Sequence, residues 1–181
     1  MVTQIPNLLT LLRILMVPVV VVLLSSQHYA EALLVFVAAG ITDGLDGWIA
    51  KTFDLQSDFG AMLDPIADKL LLVTTYTTLA VLGDIPFWLL VLVVFRDFII
   101  VGGYWLLVAM EKKLEVQPSL ISKLNTFFQI LLVVVVLVHQ SGWLMLDQVI
   151  NVTIVVVVVT TVSSGMGYIR AGMQKISTDP F

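Results

Sequence analysis

The sequence predicts an all-α polytopic membrane protein of about six transmembrane helices, with a polar site at the cytoplasmic ends of the second and third. Three observations predict it. Of 181 residues, 59% are hydrophobic and only 12% charged, with a mean hydropathy of +1.04. A water-soluble domain carries about a quarter charged residues, so a solvated fold, a disordered tail and a nucleic-acid binder are excluded. The apolar residues fall into six runs of about one bilayer thickness each, which leaves only short loops and one domain over 1–181. Nearly all the cations lie on one side of those runs. With no cysteine, disulfides, thiolate metal sites and cysteine nucleophiles are also excluded.

The first run follows Ile5-Pro6-Asn7 and continues through Leu24, interrupted by Arg13 and Pro18. It lacks the small-residue cleavage site of a signal peptide, so it is expected to remain in the mature protein. The second goes from about Ala30 to Ala50, the third from Ala61 to Leu82, and the fourth from Pro86 to Met110. The fifth covers Leu120 to Val138 and the sixth Trp143 to Tyr168. Segments 25–30, 83–86 and 139–147 contain no Lys or Arg, whereas the other side holds or adjoins Arg13, Lys51, Lys69, Lys112, Lys113, Lys123, Arg170 and Lys175. The positive-inside rule therefore places both termini in the cytoplasm. Val133 to Val136 and Val155 to Val159 favour strands by composition, but open strands in lipid leave backbone groups unsatisfied. Lipid-facing helix is the expectation for both.

The second run ends in Thr42-Asp43-Gly44-Leu45-Asp46-Gly47, and the third opens with Gly60-Ala61-Met62-Leu63-Asp64-Pro65-Ile66-Ala67-Asp68. Asp43 and Asp46 are i,i+3 and Asp64 and Asp68 i,i+4, so each pair projects from one helix face. Consecutive antiparallel helices let all four converge. Two carboxylates about 4 Å apart repel by roughly 4 kcal/mol at an effective dielectric of 20, and burial in a membrane adds to that cost. Protonation would relieve it, as in a proton relay. An oxygen-only donor set with no His or Cys points instead to hard cations, Mg²⁺ or Mn²⁺, and two of them would balance four carboxylates and suit phosphoryl transfer. Gly47 and Ala50 flank the acids on the same stripe. Close helix packing explains small residues in general, but beside four acids an opening for a base or diphosphate is the better account.

The stretch Asp43-x2-Asp46-Gly47-x2-Ala50-Lys51-x8-Gly60-x3-Asp64-x3-Asp68 resembles the signature of the CDP-alcohol phosphotransferases. The resemblance implies that an acceptor hydroxyl attacks the lipid-linked phosphate of CDP-diacylglycerol and releases CMP. It implies Asp43, Asp46, Asp64 and Asp68 as ligands of two divalent cations, with Asp68 also the general base. Gly47, Lys51, Ser57 and Gly60 match positions that bind the CDP-lipid, as do Asn7 and Thr10 in Ile5-Pro6-Asn7-Leu8-Leu9-Thr10. Lys51 departs from the family's usual Arg; it keeps the charge but loses the bidentate fork. The resemblance further implies a homodimer in the bacterial inner membrane.

Arg96-Asp97, the run Pro118-Ser119-Leu120-Ile121-Ser122-Lys123-Leu124-Asn125-Thr126-x2-Gln129, and Thr160-Thr161-x-Ser163 with Tyr168 are similar to the cardiolipin synthase branch of that family. The branch that makes phosphatidylglycerophosphate more often has Arg-Glu and Gly-Lys-x-Lys-Thr there. Phosphatidylglycerol is thus the expected acceptor, giving cardiolipin, and glycerol 3-phosphate is the alternative. Arg96 and Lys123 suit an anionic glycerol-containing acceptor, since a phosphate approaching the site needs cations. Equally, Arg96 could pair with an intramembrane Asp and Lys123 snorkel to the surface.

A divalent-metal or proton transporter is the remote alternative for the same acids, but a pathway should reach both faces and the outer half is bare Val, Leu and Ile. His28 and His139 read as interfacial, Trp88, Trp105 and Trp143 as an aromatic belt, and Ser163-Ser164-Gly165 with Gly167 as helix packing.

Overall fold

The computed structural model describes residues 5–52, 58–109 and 120–178, with side chains over 10–44, 67–103 and 120–170. The described residues form six helices and no strand: α1 (Ile5–Ser25), α2 (Tyr29–Thr52), α3 (Asp58–Leu82), α4 (Phe87–Ala109), α5 (Leu120–Gln140) and α6 (Asp147–Thr178). The expected segments coincide with them except at α6. There Gly142, at φ 75°, ends α5, and Leu146 N–H donates to His139 Nδ1 at 3.1 Å, so 143–146 is a loop rather than the helix start. At its other end α6 continues to Thr178, and its 32 residues span about 48 Å.

The chain divides into two units. The first comprises Met1–Ile85 with Val133–Leu146, and the second Pro86–Leu132 with Asp147–Phe181. In the first, α1 packs on both α2 and α3. Thr10, Arg13, Val17, Val20 and Leu24 are its buried residues, and their alternating spacing of three and four makes a single seam. Small Ala32, Ala39 and Ala67 are completely buried in the same unit, as expected where helix backbones approach closely. In the second unit α4 packs on α6.

The core is mostly apolar, but it also takes in charged and polar side chains while large apolar ones lie outside. Arg13, Arg96, Asn125 and Gln129 are buried, while Leu15, Val22, Phe95, Phe98, Phe127 and Val155 are exposed. Water would penalise that arrangement and lipid would not. Among the described residues, Leu120–Gln140 and Asp147–Arg170 are long and apolar enough to cross a membrane by length and composition. Threonine hydroxyls in the helices are satisfied by donating back to carbonyls, as in Thr75 to Leu71 at 2.8 Å and Thr153 to Val149 at 2.7 Å. One expectation fails: Val133, Val135 and Val136 are buried, not lipid-facing. Asn125, Gln129, Leu132, Val133 and Val136 share one face of α5, and the polar members take the valines inward with them. Val155 and Val159 are exposed as expected, but Val157 between them is fully buried.

The turns after α1 and α3 are Schellman caps. His28 N–H donates to Leu23 O and Gln27 N–H to Leu24 O, both at 2.9 Å, and Asp84 N–H to Leu79 O at 2.9 Å with Gly83 N–H to Ala80 O at 3.3 Å. The left-handed position is glycine in the second (Gly83, φ 86°) but Gln27 in the first (φ 59°). Gln27→Gly should therefore raise stability by about 1 kcal/mol, read as a higher unfolding midpoint in detergent; a lower midpoint would contradict the cap.

Asp84 joins three turns of the first unit. It accepts from Tyr29 Oη at 3.0 Å and from Gln140 Nε2. Burial raises its pKa above the usual carboxylate value, and the two hydrogen bonds offset only part of that rise. With the folded pKa above the unfolded one, its stabilising contribution is complete below the ordinary carboxylate range and is lost as pH rises through the folded value. Thermal unfolding from pH 4 to 7 should show Asp84→Asn with a shallower decline than the parent, and parallel slopes would refute it.

Candidate active site

The seam of α1 places two polar residues where its neighbours carry acids. Thr10 and Arg13 are i,i+3 and fully buried, at 0% and 1% exposure. Arg13 Nη1 donates to Asp68 Oδ1 of α3 at 2.5 Å, and Nη2 lies 2.6 Å from Asp43 Oδ1 of α2. The second contact is an ion pair whose angle falls short of an aligned hydrogen bond, and Arg13 Nε has no hydrogen-bond partner among the described residues. One guanidinium thus draws a carboxylate from each acidic helix to a common point. The side chains of Asp43 and Asp68 remain 40% and 48% exposed, so the arginine closes the buried side and the carboxylates face outward.

Of the expected site residues, the structure therefore brings Asp43 and Asp68 together and buries Thr10 one turn from Arg13. Asp46, Gly47 and Lys51 lie on α2, Gly60 and Asp64 on α3, and Asn7 on α1, but their side chains are outside the described residues, as is Ser57 altogether. No cluster of three metal-ligating side chains occurs among the described residues. The donor chemistry nonetheless fits a hard divalent cation: the acids offer oxygen only, and a cationic group already bridges two of those oxygens.

Arg13 was not among the residues expected at the site. A charge inside an apolar run is the signal that marks it, since a cation in a membrane helix seeks an acid in another. Sequence alone counted it toward the positive-inside asymmetry.

The second unit holds a separate polar cluster. Arg96 Nη1 donates to Asp97 Oδ1 at 3.0 Å, and Nη2 donates to Ser164 Oγ at 2.6 Å and to Ser122 Oγ. Asn125 Oδ1 accepts from Thr160 at 2.9 Å and Thr161 at 2.8 Å. Ser164, expected only to pack, is thus a ligand of Arg96, and a Cβ on neighbouring Gly165 would sit 3.8 Å from Arg96 Cγ. Lys123 is exposed on α5, as a snorkelling lysine would be.

Residues 3–163 match the family model for CDP-alcohol phosphatidyltransferase. The chain belongs to this family. A probable phosphatidylglycerophosphate synthase of Mycobacterium tuberculosis is 33% identical over 97% of the chain and 84% of its own length. A CDP-diacylglycerol–glycerol-3-phosphate 3-phosphatidyltransferase of Rickettsia typhi is 33% identical over 93% of the chain and 96% of its own. A probable CMP-forming cardiolipin synthase of Drosophila melanogaster is 33% identical over 70% of the chain and 44% of its own. The CDP-alcohol phosphatidyltransferases are membrane-embedded enzymes of phospholipid biosynthesis that use CDP-diacylglycerol and an alcohol acceptor.

Proposed function

We propose that this phosphatidyltransferase joins the phosphatidyl group of CDP-diacylglycerol to a hydroxyl of phosphatidylglycerol, giving cardiolipin and CMP. The observation that carries the choice of acceptor is the polar cluster of the second unit. Residues that resemble the cardiolipin synthase branch are hydrogen-bonded in two sets there, Arg96 with Asp97 and Ser122, and Asn125 with Thr160 and Thr161. Replacing Asp97 by the longer Glu of the sister branch would alter the Arg96 contact.

Asp43, Asp46, Asp64 and Asp68 would hold two Mg²⁺ or Mn²⁺ ions. When bound, these neutralise the diphosphate and polarise the phosphorus under attack. Asp68 accepts the proton of the acceptor hydroxyl as its oxygen bonds to phosphorus and the bond to CMP breaks. Gly47, Lys51, Ser57, Gly60, Asn7 and Thr10 bind the CDP-lipid, and Arg96 and Lys123 take the acceptor's phosphate. All six helices cross the inner membrane with both termini cytoplasmic, the site opens at the cytoplasmic ends of α2 and α3, and the enzyme is a homodimer. Cation-free segments on one side and exposed apolar faces support the topology.

The Mycobacterium and Rickettsia relatives favour a second reading, glycerol 3-phosphate as acceptor and phosphatidylglycerophosphate as product. Purified protein with CDP-diacylglycerol and Mg²⁺ or Mn²⁺, offered each acceptor separately and resolved by thin-layer chromatography, decides between them. Cardiolipin only with phosphatidylglycerol is the expected result. Product only with glycerol 3-phosphate would overturn the acceptor and keep the chemistry.

A further inference from the structure

We propose that Arg13 is a positioning residue that acts as an internal placeholder cation, holding the Asp43 and Asp68 carboxylates aligned until a divalent ion takes them over. This rests on the metal-site reading above and adds a residue to which that signature assigns nothing.

The geometry separates Arg13 from an ordinary structural arginine. Its two terminal nitrogens reach Oδ1 of Asp43 and Oδ1 of Asp68, atoms on different helices, at 2.6 and 2.5 Å. A divalent cation held at this site would draw on the same two carboxylates. Arg96 shows the contrast, because its partners are its neighbour Asp97 and the neutral hydroxyls of Ser122 and Ser164. The hold of Arg13 is also incomplete: Nε lacks a hydrogen-bond partner among the described residues, as does Nε of Arg96, and in Arg13 alone the contact of Nη2 with an acid is off-angle as well. A fully satisfied guanidinium would resist exchange.

Without a cation, two carboxylates drawn to one point repel, and the helices that carry them would part. Arg13 removes that tendency at the cost of one positive charge that any arriving ion must overcome. Burial of the guanidinium and exposure of the carboxylates let an ion approach from the side opposite the arginine. Metal affinity is accordingly a difference: attraction to the acids less the attraction of Arg13 for the same oxygens.

The test is Mn²⁺ binding to the full-length protein in detergent, read by electron paramagnetic resonance of free Mn²⁺, for the parent and Arg13→Gln. The variant should bind Mn²⁺ about tenfold more tightly, since a competing charge a few ångströms away has been removed. With chelator present it should melt lower than the parent, and added Mn²⁺ should raise its midpoint more. Loss of a merely structural arginine would loosen the site and weaken Mn²⁺ binding. Affinity equal to or weaker than the parent's, with helix content retained, overturns the proposal. Should Arg13→Gln not fold, Arg13→Lys carries the test: its ammonium lacks the guanidinium's two-pronged reach, so a smaller tightening is expected and none refutes. A parent protein that binds no Mn²⁺ would overturn the metal-site reading itself, an outcome distinct from equal affinities.

Discussion

Asp68→Asn should lower CMP release by about a thousandfold while much of the CDP-diacylglycerol binding survives. A general base contributes roughly 10²- to 10⁴-fold, and an amide cannot take the acceptor's proton. The amide oxygen can still accept from Arg13 Nη1, which now meets Asp68 Oδ1 at 2.5 Å, so the helices stay in place. Asp43→Asn should behave differently. It removes half of the ionic hold on Arg13 and the first acid of the signature, so Mn²⁺ and the nucleotide lipid should be lost together. Radiolabelled CDP-diacylglycerol binding in mixed micelles, measured beside CMP release, separates the two patterns. Turnover at the parent level in either variant would remove that residue from the site.

Arg96→Ala should destabilise the protein by about 3–5 kcal/mol, because it removes the guanidinium that meets the largely buried Asp97 carboxylate. The Asp97 side chain is 12% exposed, and Arg96 Nη1 meets it at 3.0 Å. Ser122 and Ser164 lose their donor in the same step. Arg96→Ala combined with Asp97→Ala should recover much of the loss, since both charges are then absent. Unfolding of the two single variants and the double in detergent gives the coupling directly. If Arg96→Ala costs under about 1 kcal/mol, the cluster does not hold α4 to its neighbours, and the assignment of Arg96 rests on substrate alone.

The six helices were legible because each apolar run is interrupted by charges or turn residues close to where the helix stops. α1 ends at Ser25 one residue beyond its run, and α3 at Leu82 where the run ends. The start of α6 was not legible, since Trp143 to Leu146 is apolar and only the His139 ring contact and the conformation of Gly142 exclude it from the helix. Which valines face inward was equally hidden. Composition marks Val133 to Val136 as suited to lipid, but the direction of α5 is set by Asn125 and Gln129 two turns earlier. At the site, spacing paired the acids within each helix, and the antiparallel order of two consecutive helices let the pairs converge, but neither showed what would join them. The link between helices depends on Arg13, which is 30 residues from Asp43 and 55 from Asp68, and no local pattern encodes it. The Arg96–Asp97 pair was readable as neighbours, whereas Ser164 enters from 68 residues away.

The two Schellman caps and the three-way bond at Asp84 have a practical consequence for anyone modifying this protein. An epitope or fluorescent tag inserted between Ser26 and His28, or at Gly83, would break a cap and separate Tyr29 or Gln140 from its carboxylate. Reporter fusions that tolerate the fold belong after Thr178, where α6 has already ended and no described turn is interrupted.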